Sequence, residues 1–481
     1  MTLHPSYEEL AQTQGQILAK LLFERHLRPE SMLHCDAWLF PLILRVGFWT
    51  FTFFVQAHMA KALKSLQDRG LKRHRCPCIQ VVTRMGRLRL ESPYLYNRDT
   101  KQGARPLKDI FGFYGNCSTP KVQEVLADFG AHDAFALAQE RFKRHYHEDV
   151  GDSAPRTLTL NSAHAAVEFL DHKLAQMQRS YELAPAHRLT VAQDLLVQAD
   201  GCMLRTGQTM TAKEALAWAH AQDLHPKELA RLEEAAAQGK TRLRPQAWRE
   251  VHSGLTRQKE QREPSVLARR CSRDEFIAQL FQLGCSHGLA FQTTVLAIGD
   301  GGGGLKEGFE EHFAHISYLL DWRHLEEEHL QETAVKLGIS DKTLSKRWAR
   351  VRMERIAKGE AQAVLADLQS SYFKRQDEES EASEGTERLG RLVKYMEKFI
   401  YCMDYDKWRE EGWPIASSEV ESLHKRLTQK RMKLNGACWR EDSLDPMLAL
   451  RTVSINPGWW EEFWRWKHRR DAQARKTQTA A

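Results

Sequence analysis

The sequence lacks the ordered cysteines of a secreted, disulfide-stabilised protein. Its 481 residues include nine cysteines, an odd number, and these are scattered without a repeated spacing. Small secreted proteins instead carry an even number of cysteines at ordered spacings. Residues 1–15 are polar and include Glu8 and Glu9, so they do not resemble a secretory signal. We therefore expect reduced thiols and a cytoplasmic location.

The chain also lacks a second long apolar run. Residues 38–55 are rich in aromatic and aliphatic side chains but include Arg45, and no comparable run follows. A membrane-spanning helix needs about 20 predominantly apolar residues. This run is therefore borderline, and a buried or self-associating helix is the favoured interpretation.

A strong excess of one charge is absent as well. The formal net charge is +7 and the isoelectric point is about 8.8, a mild basic bias that permits a nucleic-acid partner without requiring one. The cations are concentrated in residues 465–476, whereas residues 377–387 are acidic. The length allows two or three domains, each with its own core.

The most informative stretch is 412–422, which reads Gly-Trp-Pro-Ile-Ala-Ser-Ser-Glu-Val-Glu-Ser. Its serines are typical helix N-caps, so a helix is predicted to follow, with Glu421 in its first turn. His424 and Lys425 lie three and four residues later, on the same helical face as Glu421. A carboxylate among cations suits a divalent metal and DNA phosphates. Alternatively, Ser418-x-x-Glu421 is a capping box that only satisfies the helix start.

An ordered series of motifs continues from this stretch. Arg431-Met432-Lys433 is followed by Gly436-x-x-Trp439, then by Met-Leu-Ala-Leu-Arg at 447–451 and Glu-Glu-Phe-Trp at 461–464. The series resembles the carboxy-terminal signature of the DDE transposases of bacterial insertion sequences, specifically the ISKra branch. The resemblance is strongest over 412–464, weaker over 193–254 and 293–324, and weakest before residue 120.

The resemblance implies three catalytic, metal-binding carboxylates, which are Asp200, Asp300 and Glu421. Asp200-Gly201 alone is also the commonest two-residue hairpin turn. Asp300 follows a predicted buried strand and precedes four glycines, where the family usually has a bulky residue and Trp-Ile. Asp321 and His324 match the family's Leu-Asp-x-x-His and are expected to support the site, although Asp321 also suits a simple helix cap.

The implied fold is α/β, an RNase H-like catalytic core with a mixed five-stranded sheet flanked by helices, large helical insertions and an α-helical N-terminal region. We predict a strand ending at Asp200-Gly201, a second strand directly after it, a third at 248–255, a fourth at 292–298 and a fifth from 316. The predicted segments, in chain order, are a helical region 1–70, a β-hairpin region 71–120, a helical linker 121–190, the first part of the core 191–330 with an insertion at about 210–245, a helical insertion 331–411, the final core helices 412–464 and a basic tail 465–481.

The hairpin region departs from the family. Members often carry two cysteine pairs that form a zinc ribbon. Here the first pair is Cys76-Pro77-Cys78 and the second is missing, so bound zinc is not expected, although His74 or Cys117 remain conceivable ligands.

The leading functional prediction is a DNA transposase that uses Mg²⁺, which Mn²⁺ can replace, to cleave DNA and join 3′-hydroxyl ends to a target. Expected partners are double-stranded DNA, as transposon terminal inverted repeats and target, and further copies of the chain in a dimer or larger assembly. The residues expected to contact DNA phosphates are His424, Lys425, Arg426, Lys430, Arg431 and Lys433, whose alternative is an ordinary solvated helix face. Two other functions stay open: a catalytically inactive, domesticated DNA-binding relative, and a nuclease that cuts structured DNA without integrating it.

Overall fold

The structure is a computed structural model that describes residues 5–24, 32–182, 191–222, 224–379 and 383–480. The chain divides into two compact units. The first comprises Met1–Val122 with Arg141–Val150, and the second comprises Gln123–Glu140 with Gly151–Ala481. Helices α4 and α5 contribute residues to both units. The elements as far as α5 are α1 (Pro5–Glu24), α2 (Met32–Asp68), β1 (Lys72–Arg75), β2 (Cys78–Thr83), β3 (Gly86–Glu91), β4 (Tyr94–Tyr96), β5 (Gly103–Ala104), α3 (Pro106–Phe111), β6 (Cys117–Ser118), α4 (Pro120–His132) and α5 (Phe135–Tyr146).

The first unit is built on the predicted hairpin. Strands β2 and β3 pair antiparallel across Met85-Gly86, with Val81 opposite Leu88. Their buried side chains pack against Val55 and Met59 of α2. The hairpin prediction is therefore confirmed, and its apolar face forms the core of this unit.

Helix α2 is only partly covered. Among the described helices, its segment Ala37–Asp68 alone is long and apolar enough to cross a membrane by length and composition, and 11% of its most apolar window is buried. Trp49, Phe53 and Phe54 are all exposed. Burial within the chain therefore covers only the face that carries Val55 and Met59 and meets the hairpin, and the alternative of a self-associating helix stays a prediction.

The second unit holds one large sheet and most of the helices. Its further elements are α6 (Ala154–Glu182), β7 (Asp194–Gly207), β8 (Met210–Thr211), α7 (Ala212–Ala221), α8 (Pro226–Ala237), β9 (Arg242–Leu243), β10 (Gln246–Arg257), β11 (Ser265–Arg269), α9 (Arg273–Cys285), β12 (Thr294–Gly299), α10 (Leu305–His312), β13 (His315–Leu320), α11 (Trp322–His324), α12 (Glu332–Lys336), α13 (Lys342–Ala357), α14 (Ala361–Glu378), α15 (Glu384–Phe399), α16 (Tyr405–Glu410), α17 (Ser418–His424), α18 (Lys430–Met432), α19 (Glu441–Ile455) and α20 (Trp459–Ala480). Two π-helical segments, Leu325–Gln331 and Lys425–Gln429, follow α11 and α17, and a 3₁₀ turn, Ile400–Cys402, follows α15.

The large sheet is mixed, as predicted. Its strand order is β11-β10-β7-β12-β13, which is 3-2-1-4-5 in order of appearance along the chain. β10 pairs antiparallel with both β7 and β11, whereas β12 runs parallel to β7 and β13. Helices flank the sheet and share its apolar core, to which α6, α9 and α19 contribute Phe169, Phe276 and Leu448.

The opening meander differs from the predicted one. β7 is a single strand that passes straight through Asp200-Gly201, with Asp200 opposite Ser253 and Gly201 opposite His252. The hairpin turn at Asp-Gly and the separate second strand are therefore wrong. Segment 248–255 belongs to the second strand, and the third is Ser265–Arg269. The unbroken register of β10 along β7 leaves no turn at Asp200, because β7 pairs residue by residue from Leu196 to Gly207.

The buried Arg451 joins α19 to the π-helical segment Lys425–Gln429 and to α4. It is 1% exposed and donates to the carbonyls of Arg426 and Leu427, in the π-helical segment, and of Ala131. Burial, together with the nearby charge of Arg431, lowers the pKa of Arg451 to about 10. Its value to the fold lies in donating to three backbone carbonyls from a buried position.

We expect Arg451→Ala to lower the free energy of unfolding of this unit by about 3 kcal/mol, because three buried acceptors lose their donor and a cavity forms. Urea denaturation measures the change. The control is Arg262→Ala, at an exposed position between β10 and β11, which should change stability by less than about 0.5 kcal/mol. Equal effects of the two substitutions would contradict the role assigned to Arg451.

Candidate active site at the carboxyl end of the parallel strands

Two of the predicted carboxylates lie at matching positions on neighbouring strands. The last paired residues of β7 and β12 are Gln198 and Ile298. Asp200 and Asp300 each come two residues later, so the parallel register brings both to the same end of the sheet. Asp321 joins them, because it directly follows β13 and its backbone N–H donates to the carbonyl of Gly299 at 2.8 Å. In parallel sheets, ligands bind beyond this carboxyl end.

The glycine-rich loop after Asp300 is held by specific contacts. The Tyr395 hydroxyl donates to the Asp300 carbonyl at 2.6 Å, and the Gly301 N–H donates to the Tyr318 hydroxyl at 3.1 Å. The Asp300 carboxylate itself accepts from the Gly302 N–H at 2.8 Å. Gly301 has a φ of +75°, and a Cβ there would lie 2.8 Å from the Phe399 ring, so both conformation and space require glycine.

Burial raises the pKa of both tyrosines, and the charge of Asp300 adds to the effect. Each hydroxyl therefore stays neutral and is able to hold the loop by hydrogen bonds. This loop, which departs from the family pattern, is thus held by hydrogen bonds to the hydroxyls of Tyr318 and Tyr395.

Gln198 ties the helix of Glu421 to the sheet. It is fully buried in β7; its side-chain oxygen accepts from the Val420 N–H at 3.1 Å, and its amide approaches the Ala416 carbonyl at 3.5 Å. A second tie comes from Arg257, which makes a two-pronged ion pair with Glu419 at 2.7 and 3.0 Å. The first turn of α17 is therefore fixed over the strand that carries Asp200.

Asp321 provides the third tie. It is 2% exposed, and one carboxylate oxygen accepts from the backbone N–H groups of Arg323 and His324 at 2.8 and 3.4 Å. The other oxygen accepts from the hydroxyl and the N–H of Ser417. Asp321 thus caps α11, as the sequence allowed, and also joins α17 to the end of β13.

The alternative of a capping box at α17 is not realised. The N-cap of this helix is Ser417, which makes no side-chain cap hydrogen bond, because its hydroxyl is directed to Asp321. The Glu421 side chain remains 41% exposed and its nearest charged neighbour is Arg323, with 4.0 Å between Oε2 and Nη1. Glu421 is therefore available for a role other than capping.

His424, one turn after Glu421, contacts Asp200. Its Nε2 atom lies 3.2 Å from Asp200 Oδ2, an ion-pair distance, although the angle does not make a well-aligned hydrogen bond. The His424 side chain is 4% exposed and that of Asp200 is 38% exposed. Burial disfavours the imidazolium, but Asp200 and Cys202 outweigh burial and raise the pKa of His424 to about 9.

The carboxylates suit a divalent cation in kind and in place. Mg²⁺ prefers oxygen ligands, and Asp200, Asp300 and Glu421 stand on elements that meet at one end of the sheet. Across the described ranges, however, no group of three or more His, Cys, Asp or Glu side chains is placed to hold a metal ion. In this arrangement His424 neighbours Asp200 and Arg323 neighbours Glu421, and the convergence of the three carboxylates on a metal ion stays a prediction.

His324 is linked to the loop of Asp300 through two aromatic contacts. Its ring lies 5.0 Å from the ring of His329, which stacks at 3.8 Å on Tyr395, the residue that holds the Asp300 carbonyl. Burial lowers the pKa of His329 to about 3, so this ring is neutral. These ring contacts connect the end of β13 to the loop of Asp300, and His324 makes no ion pair with Asp200, Asp300 or Glu421 within the described structure.

Four of the predicted phosphate-binding residues are exposed, namely Lys425, Arg426, Lys430 and Lys433. The other two, His424 and Arg431, are buried, and a buried side chain does not fit the predicted contact with DNA phosphates. His424 lies against Asp200, and Arg431 is 4% exposed, donates to the Gly130 carbonyl at 3.0 Å and is positioned between the rings of Phe135 and Trp439. Arg431 lies in α18, directly after the π-helical segment at 425–429, and tertiary packing that the sequence did not reveal buries it.

Sequence reasoning missed Gln198, Tyr395 and Arg323. Only Gln198 carried a signal, as a lone polar residue in the apolar run 195–199, Leu-Leu-Val-Gln-Ala. A buried polar residue needs partners, so its position in a core strand indicates a structural tie. Tyr395 and Arg323 lie in helices whose packing the sequence did not reveal.

Comparison with protein-family models and with curated proteins gives no match to this chain. The site is therefore assigned on its own geometry.

The Asp200–His424 pair predicts a dependence of stability on pH. Because the folded pKa of His424, about 9, exceeds its ordinary value of 6.5, the pair stabilises the fold fully below pH 6.5 and loses its effect as the pH rises through 9. Wild-type protein should lose up to about 3 kcal/mol over this range through His424. Asp200→Asn should lose less, since an amide does not favour the imidazolium.

Urea denaturation at pH 6.5, 8 and 9.5 measures the effect. The exposed Asp406→Asn variant should keep the wild-type slope. If Asp200→Asn also keeps that slope, the pair does not set the titration of His424.

Proposed function

We propose that this chain is a DNA transposase whose second unit is an RNase H-like catalytic core. The single observation that carries the proposal is the matching position of Asp200 and Asp300 on parallel strands, with the helix of Glu421 tied to Gln198 between them. The strand order 3-2-1-4-5 supports it, as does the resemblance of 412–464 to ISKra-type transposases.

The residues of the chain would divide the work. Asp200, Asp300 and Glu421 would hold Mg²⁺, with Mn²⁺ able to replace it, and such ions activate the attacking water or 3′-hydroxyl and stabilise the departing oxygen. Gln198 and Asp321 fix the helix of Glu421 relative to the strands. Positioning of this kind makes a large contribution to phosphoryl transfer, because the reacting groups must lie in line.

The exposed cations that follow Glu421 suit the phosphates of double-stranded DNA. Lys425, Arg426, Lys430 and Lys433 make no ion pair with any described residue and lie on the segments that continue from α17. Lysine and arginine side chains of this kind supply the sequence-independent part of DNA binding. The DNA would be the transposon ends and the target, and joining two ends implies a dimer or larger assembly.

A second candidate is a DNA-binding protein that derives from a transposase and has lost catalysis. The observation that favours it is the presence of His424 beside Asp200 and Arg323 near Glu421, where an active site would hold metal ions. The two candidates differ in whether DNA strands are cut.

For the transposase we expect Asp200→Asn, Asp300→Asn and Glu421→Gln each to abolish Mg²⁺-dependent nicking and strand transfer, because each removes a charge that the ions require. The measurement is cleavage and joining of labelled DNA carrying the inverted repeats that flank the gene. Binding to the same DNA in EDTA should change less than about threefold.

The matched controls are Asp406→Asn and Glu411→Gln, two exposed carboxylates outside the site, which should retain activity. Strand transfer by a purified variant of the trio would remove that residue from the site. Tight binding of the repeats by wild-type protein with no cleavage in Mg²⁺ or Mn²⁺ would favour the inactive relative.

A further inference from the structure

A cavity lies in the second unit, near Gly207 at the carboxyl end of β7. It has a volume of about 420 Å³, within the range of small-molecule sites. The loop between α18 and α19 forms one wall, and this loop is joined to β7 by hydrogen bonds between Trp439 and the backbone of Arg205 and Gly207. The residues that matter to its chemistry are Phe135, Arg156, Leu160, Arg244, Arg431 and Trp439.

The charged residues that line the cavity are all positive. Four arginines line it, and none of its described lining residues is acidic. Three of the four have partners: Arg440 pairs with Asp442 at 2.7 Å, Arg244 donates to the Cys438 carbonyl at 2.6 Å, and the Nε atom of Arg431 donates to the Gly130 carbonyl at 3.0 Å. Arg156 is exposed and makes no ion pair with any described residue. A cavity of this composition favours an anion.

Arg431 is the strongest indication of a ligand. It is 4% exposed, and its Nη2 atom has no hydrogen-bond partner within the described structure. Burial lowers the pKa of this guanidinium to about 10, and its charge also disfavours the buried cation of Arg451. A buried donor without an acceptor is costly, so a bound acceptor would relieve the arrangement.

The remaining walls are apolar and aromatic. Arg431 lies 4.7 Å from the centre of the Phe135 ring and 4.8 Å from that of Trp439. Leu160 completes this side. Nucleobases stack on aromatic and guanidinium planes, whereas their phosphates bind arginine. A free inorganic anion would not use the apolar walls or fill a cavity of this volume.

We propose that this cavity binds one nucleotide of a DNA strand, with its phosphate at Arg156 and Arg244 and its base against Arg431, Trp439 and Leu160. The inference rests on the proposed function for the identity of the ligand. It assigns to the unit a nucleotide site distinct from the three carboxylates.

The test measures binding of a 5′-fluorescein-labelled twelve-residue thymidine oligonucleotide to the full chain by fluorescence anisotropy in EDTA. Arg156→Glu should weaken binding about tenfold or more, because a charge-assisted contact is replaced by repulsion. The matched control is Arg262→Glu, an equal change of charge at another exposed arginine, which should weaken binding less than about twofold. Equal losses for the two variants would overturn the proposal, since only net charge would then matter.

Leu160→Trp provides a test without a change of charge. The larger side chain should fill the cavity and weaken binding to a similar extent, provided that circular dichroism shows a folded protein; if it does not fold, the comparison of the two arginine variants decides. Wild-type binding by a folded Leu160→Trp variant would overturn the proposal.

Competition separates the sources of phosphate. Thymidine monophosphate should displace the oligonucleotide at a lower concentration than inorganic phosphate does, because only the nucleotide uses the apolar walls. Equal competition would reject the nucleotide and leave an anion site. The assay needs no metal and no cleavage, so a failed nicking experiment does not decide it, and loss of this site does not affect the assignment of the carboxylates.

Discussion

The arrangement of the second unit depends on the way in which buried polar side chains fasten α17 to the sheet. Gln198, inside the central strand, and Asp321, at the end of the edge strand, together engage backbone groups of Ala416, Ser417 and Val420. Buried polar groups are costly unless they are paired, so these side chains stabilise one position of the helix and disfavour others. A segment more than two hundred residues away in sequence is thereby brought to the strand that carries Asp200.

The sequence predicted the helices and strands of this unit better than it predicted how they pair and pack. The strands at 294–299 and 315–320 and the helix after Ser417 were predicted, because apolar runs and capping residues are local signals. The opening meander was misjudged for a related reason. Asp200-Gly201 is a strong local turn signal, but β10 pairs with β7 on both sides of it, and this long-range ladder overrides the local preference.

The contacts of the carboxylates were beyond prediction, since they depend on tertiary packing. Periodicity placed His424 on the same face as Glu421, but it gave no means of knowing that this face meets Asp200 and excludes solvent from the imidazole. The same limit applies to Arg431, which was predicted to contact DNA phosphates and is buried by tertiary packing. The π-helical segment between His424 and Arg431 changes the direction in which the residues after it face. Such segments are frequent at functional sites.

Positive charge in the interior unites these features. Arg431 and Arg451 are both almost fully buried, and the charge of Arg431 disfavours that of Arg451, yet both guanidinium groups donate to backbone carbonyls. Cations held in this way stabilise helix ends and loops, where carbonyls lack partners within the helix, and they add positive charge to the interior. A ligand with phosphate groups would supply the negative charge that compensates for these cations. These buried cations therefore support both proposals, a nucleotide at the loop between α18 and α19 and DNA phosphates on the exposed lysines.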